Sequence, residues 1–258
     1  MHIAFFDSGA GGLTVLHEAI KKMPGEHYIY FGDSHNAPYG TKSREEIREL
    51  VFKAVDFLTA KGLKALVLAC NTATSAAVAE LREKYDFPII GMEPAVKPAI
   101  ENSREHKVLV CATDLTLKEE KLNNLVRNLN AGDKVDYLSL QKLVMFAENF
   151  EFDGQQVTAY LKEKLAQADW SKYDSIVLGC THFIFFREQI RRFIPARIRI
   201  LDGNEGTVNN LMTKIDIRNS PEKKEIQYYI SGSRAAAGHF QRYLDYLAKT
   251  DTPKGQVW

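Results

Sequence analysis

Two stretches decide how this chain is read: Leu66-Val67-Leu68-Ala69-Cys70-Asn71-Thr72 and Ile176-Val177-Leu178-Gly179-Cys180-Thr181-His182. Each is a short apolar run that ends in a cysteine and passes at once into small hydroxyl or amide residues. A run of this length, bounded by a polar turn, reads as a strand buried on both faces of a parallel sheet. The cysteine then stands at the strand's carboxyl end, where open α/β sheets bind ligands. Two thiols facing one cleft from opposite sides suit a reaction that takes a proton from one face of a carbon and returns one to the other.

The neighbouring runs repeat the pattern. Residues 3–6 are answered by 108–112, 28–31 by 136–140, 65–70 by 175–180 and 88–91 by 198–201, at a nearly constant interval. Amphipathic stretches fill the gaps at 12–22, 43–61 and 74–84, and again at 116–129, 154–166 and 185–193. Strands alternating with helices predict parallel sheets with right-handed crossovers. The expected fold is α/β, with two similar parallel-sheet domains related by a pseudo-twofold axis and the active site in the cleft between them. The last segment adds a strand at 225–231 and a helix at 235–249 that return to the first domain. The expected domains are 1–94 with 207–258, and 95–206. A single doubly wound sheet with two similar halves is the competing architecture.

Composition limits the function classes. The chain has 258 residues, 45% hydrophobic and 26% charged, which suits a globular α/β protein. With a formal net charge of +1, nothing in the composition argues for a nucleic-acid surface or an anionic membrane. No apolar run approaches the roughly 20 residues of a membrane span. The opening residues lack the basic start and long apolar core of a signal peptide, and three cysteines are too few for a disulfide framework. A cytoplasmic protein is expected.

Cys70 and Cys180 are the leading candidates for chemistry. Each is expected just before a helix whose first N–H groups favour thiolate, as a general acid–base requires. Cysteine is also a common core residue, so each alone could be filler; matched positions in repeated motifs favour function. Cys111, inside an apolar run with no polar turn directly after it, reads as structural. Asp7-Ser8-Gly9-Ala10-Gly11-Gly12-Leu13 ends the first strand and opens a helix, an anion-binding arrangement in which Thr14 stands where a dinucleotide fingerprint needs glycine. Asp7 is read either as a partner for a thiol or substrate ammonium, or as a helix cap. Tyr39 and Gly40 sit in a polar loop that either reaches the ligand or merely connects. Asn71, Thr72 and Thr181 supply short donors beside the thiols. Thr113 and Thr116 match Asp7-Ser8 in the second half, with helix capping as their plain reading. His182 can acidify Cys180, whereas Glu148 reads as a surface residue. Cys70, Cys180 and His182 are also zinc-type ligands, but no paired spacing supports a metal.

Together, Asp7-Ser8-Gly9-x-Gly11-Gly12-Leu13, Gly32-Asp33 with Pro38-Tyr39-Gly40, Cys70-Asn71-Thr72-Ala73-Thr74 and Gly179-Cys180-Thr181-His182 resemble the cofactor-independent aspartate/glutamate racemase family over most of the chain. The resemblance implies that Cys70 and Cys180 are the two proton donors and acceptors, that Asp7 and His182 assist them, and that Ser8, Tyr39, Gly40, Asn71, Thr72, Thr113 and Thr181 complete the substrate site. It implies no cofactor and no metal, a homodimer, and D-glutamate destined for peptidoglycan. Thr181-His182 is similar to the glutamate branch, where aspartate enzymes carry Thr-Glu. The stretches 140–144, 183–185 and 201–204 and the loop 91–95 depart from the usual family forms. An aspartate racemase and a noncatalytic amino-acid sensor are the rival readings.

Overall fold

The central strands carry side chains of two destinations. In β1 (His2–Asp7), Ile3 and Phe5 point to one face and Ala4 and Phe6 to the other, all fully buried. β2 (Tyr28–Gly32) and β3 (Leu63–Leu68) alternate in the same way, as the period of two in a strand requires. Burial on both faces explains why these segments read as continuous apolar runs rather than as alternating ones.

A computed structural model describes residues 1–92, 95–103, 106–118, 120–218, 225–236 and 238–251. Glu93 and Pro94, within the divergent loop 91–95, lie outside these residues. Two sheets form. The larger has the order β10-β9-β2-β1-β3-β4, with β4 at Ile89–Gly91, β9 at Ile226–Ile230 and β10 at Ser233–Arg234. The smaller has the order β6-β5-β7-β8, from β5 (Lys107–Ala112), β6 (Val135–Ser139), β7 (Tyr173–Leu178) and β8 (Arg199–Leu201). All pairings are parallel except the short β9–β10 hairpin.

The sheets share more than strand order. The β1–β3 ladder shifts register between His2 and Ile3, and the β5–β7 ladder shifts at the equivalent place, between Lys107 and Val108. The division of the strands into two separate sheets excludes the single doubly wound sheet, and the common irregularity carries the likeness of the halves into backbone detail.

Helices α1 (Leu13–Lys22), α2 (Arg44–Thr59) and α3 (Asn71–Lys84) follow the first three strands. Ser43 and Glu46 close a reciprocal capping box at the start of α2, which satisfies two backbone donors that the helix leaves unpaired. The second half carries α4 (Val96–Glu101), α5 (Asp114–Lys118), α6 (Glu120–Asn128), α7 (Lys142–Glu148), α8 (Gln155–Leu165) and α9 (Arg187–Arg191). Then come α10 (Asn204–Met212) and α11 (Gln241–Thr250).

The expected 116–129 helix is found over Asp114–Lys118 and Glu120–Asn128. The expected 185–193 helix is α9 over Arg187–Arg191, and a 3₁₀ segment, Thr181–Phe186, leads into it. The expected 235–249 helix is corrected: it begins only at Gln241, after a turn over residues 238–240.

The layers follow from the side-chain alternation. One face of the larger sheet packs on α2 and α3, and Val108, Val110 and Val177 of the smaller sheet pack among residues of α4 and α6. The inner faces of both sheets share one continuous core that includes Leu13 and Leu16 of α1, Leu161 of α8 and Tyr243 of α11. At about 1.5–3 kcal/mol for each fully buried large side chain, this shared core fixes how the two sheets face each other.

Candidate active site

The carboxyl ends of both sheets meet around one small cavity. Ser8, Tyr39, Gly40, Cys70, Asn71, Thr72, Thr113, Cys180, Thr181 and His182 all line it, so nearly every residue singled out in the sequence converges there. Its accessible space is about 40 Å³, small beside the roughly 300–1,000 Å³ of pockets that bury a drug-sized ligand. A roomier cleft of about 430 Å³ between α1, α10 and α11 contains no thiol, and its size alone gives it no chemistry.

Cys70 lies two residues beyond β3 and caps α3, its carbonyl accepting the Thr74 N–H at 2.9 Å. Its Sγ is 3.5 Å from Ser8 Oγ. Burial, reinforced by the nearby Asp7 carboxylate, pushes its thiol up to about 11. The expectation that the helix start would favour thiolate at Cys70 is therefore corrected. The Ala73 N–H and Ser8 do stabilise the anion, but desolvation and a neighbouring negative charge outweigh them. Cys180 lies two residues beyond β7 and is only partly buried. The segment after it is the 3₁₀ turn, not an α-helix.

Asp7, the last residue of β1, is fully buried. Its Oδ1 accepts the Gly9 N–H at 2.9 Å and its Oδ2 accepts the Thr181 hydroxyl at 3.3 Å. Burial raises its pKa, an effect that His182 opposes. It does not cap α1, whose N-cap is Gly12, so the plain reading of Asp7 fails.

His182 bridges thiol and carboxylate. Its Nδ1 is 3.7 Å from Cys180 Sγ and its Nε2 is 2.6 Å from Glu148 Oε1. Burial works against an imidazolium here, but Cys180 and Glu148 together hold the pKa well above that of a free histidine. Glu148 responds in the opposite sense. Burial disfavours its charge, yet the bond to His182 and the Ala10 N–H at 2.7 Å lower its pKa.

Glu148 is thus the main correction: it faces the cavity and is not a surface residue. A signal was present in the sequence. Val144 and Glu148 are four residues apart on α7 and line the cavity together, beside the buried Leu143 and Ala147. Periodicity would have placed Glu148 at the edge of the buried face. Asp33 was also passed over. It accepts the Tyr39 hydroxyl at 2.7 Å, the Asn36 amide at 2.9 Å and the Ser231 hydroxyl at 2.6 Å, which pins the Pro38-Tyr39-Gly40 loop over the cavity. Thr113 and Thr116 bond each other at 2.9 Å, and the Thr116 N–H reaches Thr113 Oγ1 at 3.4 Å, so they line the cavity and also serve the start of α5. Cys111, fully buried in β5 with its thiol pushed up by desolvation, is structural as expected.

Hydrogen bonds also stitch the two halves across the site. Asn71 Nδ2 donates to the Gly179 carbonyl at 3.0 Å, and its buried Oδ1 has no protein partner. Gly9 and Gly11 permit the close approach. A Cβ on Gly9 would overlap the Glu148 carboxylate, and one on Gly11 would overlap Thr181 Oγ1 and the His182 ring. The arrangement offers two thiols in one cavity, one beside a carboxylate and the other beside an imidazole held by a carboxylate.

Comparison with known proteins agrees with this geometry. Residues 8–211 match the family described as Asp/Glu/Hydantoin racemase. A glutamate racemase of Halothermothrix orenii is 51% identical over 251 residues, covering 96% of this chain and 99% of that protein. Glutamate racemase 2 of Bacillus subtilis is 48% identical over 258 residues, 97% of each. Among solved structures, the Bacillus anthracis glutamate racemase isoform RacE1 superposes with a TM-score of 0.79 at 30% identity, covering 96% of this chain and 93% of that one. The Escherichia coli glutamate racemase, solved in complex with L-glutamate and the activator UDP-MurNAc-Ala, superposes with a TM-score of 0.80 at 29% identity, covering 96% and 94%.

Proposed function

The chain belongs to the Asp/Glu/hydantoin racemase family, and from that premise we propose that it interconverts L- and D-glutamate by proton transfer between Cα and two cysteines. The observation that carries this reading is the placement of Cys70 and Cys180 at equivalent strand ends of two matched sheets, both lining one cavity.

One cysteine, as thiolate, takes the α-proton. The electron pair left on Cα delocalises into the carboxylate, and the opposite thiol gives its proton to the other face. The two sulfurs then hold exchanged protonation states, which the reverse reaction or exchange with water restores. Because an amino acid's α-proton is very weakly acidic, the site has to stabilise the enediolate-like charge. Asn71, Thr72, Thr113 and Thr181, with Ser8, supply short donors for the α-carboxylate. Asn71 Oδ1 is a free acceptor for the ammonium. The ammonium also matters for Cys70. A positive charge brought beside a thiol raised to about 11 lowers it toward the working pH.

Asp7 assists Cys70 and His182 assists Cys180 in this scheme, while Tyr39 and Gly40 close over the substrate and exclude water. No cofactor is required. We read the chain as two domains, 1–94 with 207–258 and 95–206, whose separation admits the substrate; the return crossing falls within α10. No helix among the described residues is long and apolar enough to cross a membrane. A cytoplasmic homodimer supplying D-glutamate for peptidoglycan completes the reading.

Circular dichroism of the purified protein, offered L-glutamate and L-aspartate in separate cuvettes, tests the proposal. Loss of optical activity with glutamate alone is expected. Loss with aspartate alone transfers the reading to that substrate, and binding without any loss makes the protein a sensor.

A further inference from the structure

Helix α11 reaches the site without lining the cavity. Tyr243 on this helix is 1% exposed, and its hydroxyl is shared between the carbonyl oxygens of Ala147 at 3.1 Å and Glu148 at 3.0 Å. These are the last carbonyls of α7, where a helix leaves backbone acceptors without ordinary intrahelical partners. The chain then turns through Phe150 at φ 61°, a left-handed conformation that bulky residues rarely adopt. Such a conformation persists only where the surroundings enforce it. Here the Phe150 ring meets Tyr243 edge-on at 4.9 Å and Phe152 at 4.8 Å, and the Arg242 guanidinium lies 4.6 Å from its centre. From the other side, Phe240 packs edge-on against Tyr30 at 5.0 Å, and the Tyr30 hydroxyl donates to the Gly9 carbonyl at 2.7 Å. Gly9 in turn lies against the Glu148 carboxylate.

We propose that Tyr243 is a positioning residue for racemisation: by holding the end of α7 it keeps the Glu148 carboxylate on His182, and thereby the imidazole on Cys180. The inference rests on the two-thiol reading above. It also makes the effect one-sided, because the brace leads to the Cys180 thiol and not to Cys70. Enantiomers have equal free energy, so kcat/KM stays equal in the two directions whatever the variant. The one-sidedness shows instead in the α-deuterium isotope effect. That effect should rise in the direction in which Cys180 removes the label and not in the other.

The test compares Tyr243→Phe with Tyr28→Phe. Tyr28 is a matched control: its buried hydroxyl donates to the Ala19 and Met23 carbonyls at 3.2 and 2.6 Å, at the end of α1. Tyr243→Phe should lose about threefold to tenfold in kcat/KM, the equivalent of one buried hydrogen bond, with isotope effects that differ between L- and D-glutamate. Tyr28→Phe should lower Tm and leave rates and isotope effects as in the wild type. If Tyr243→Phe fails to fold, Phe150→Gly is read by the same criteria, since glycine accepts φ 61° while removing the ring that α11 grips. A Tyr243→Phe protein with a lowered Tm but wild-type rates and unchanged isotope effects overturns the inference. A wild-type protein that fails to racemise glutamate overturns the underlying reading instead.

Discussion

The surroundings of Cys70 and of Cys180 are built on one backbone plan and furnished with opposite charge. Both thiols follow equivalent strands by two residues, in sheets that share strand order and even the same register shift. Yet Cys70 meets a buried carboxylate, Asp7, and a hydroxyl, Ser8, whereas Cys180 meets an imidazole that Glu148 holds. Equivalent strand ends explain why two thiols face one cavity. On the proposed two-thiol reading, the divergence gives each proton transfer its own local groups, suited to its own thiol.

The largest effect should come from removing either half of the pair. Cys70→Ser and Cys180→Ser should each cut racemisation on the order of 10³-fold, within the range expected for loss of a general acid–base, while far-ultraviolet circular dichroism stays unchanged. Near-normal activity in either variant would break the symmetry of the pair. Next comes Gly11→Ala, whose new Cβ must displace Thr181 or His182. A loss of about 10²-fold is expected, as for a displacement of about 1 Å at reacting groups, and steady-state kinetics on the folded variant would show it.

Smaller losses should separate the two sides. Glu148→Gln and Asp7→Asn should each cost roughly tenfold to a hundredfold, in the range of supporting groups that orient a functional residue. Their isotope-effect asymmetries should have opposite sign, because one variant weakens the Cys180 side and the other the Cys70 side. Equal, symmetric losses would mean that the two pairs act as one network.

The last prediction concerns stability. The Cys70 thiol sits at about 11 in the folded chain against an ordinary value of 9.0, so the fold keeps a proton that the unfolded chain releases. That contribution is complete below about pH 9 and is lost as pH rises to about 11. The stability advantage of wild type over Cys70→Ser should therefore shrink by about 3 kcal/mol across this window, at 1.36 kcal/mol per unit. Denaturant titrations at both pH values would reveal it; a constant difference would contradict the burial of this thiol.

Much of this was legible in the residues because backbone periodicity and local motifs carry it. Strands buried on both faces announce themselves as apolar runs, and each cysteine was tied to its strand by adjacency. What escaped depends on contacts between distant segments. Glu148 stands at the edge of α7's buried face, but the partners that make it a site residue, the Ala10 N–H and the His182 imidazole, come to it from other elements. The charge state of Cys70 escaped for the same reason. A helix start is visible in sequence, but the desolvation and the Asp7 carboxylate that outweigh it exist only once β1 and β3 lie side by side. The 3₁₀ turn at Thr181–Phe186 was hidden behind an apolar stretch that serves the shared core as well as a helix would.

The most direct measurement follows L-glutamate in heavy water during the first few per cent of turnover, with both enantiomers recovered and their α-positions assayed for deuterium. Two opposed thiols predict one deuteron in the newly formed D-glutamate and almost none in the remaining L-glutamate, because the base that removes the proton is not the acid that replaces it. Deuterium appearing equally in both enantiomers would mean that a single group serves both faces, and the paired cysteines would lose their role.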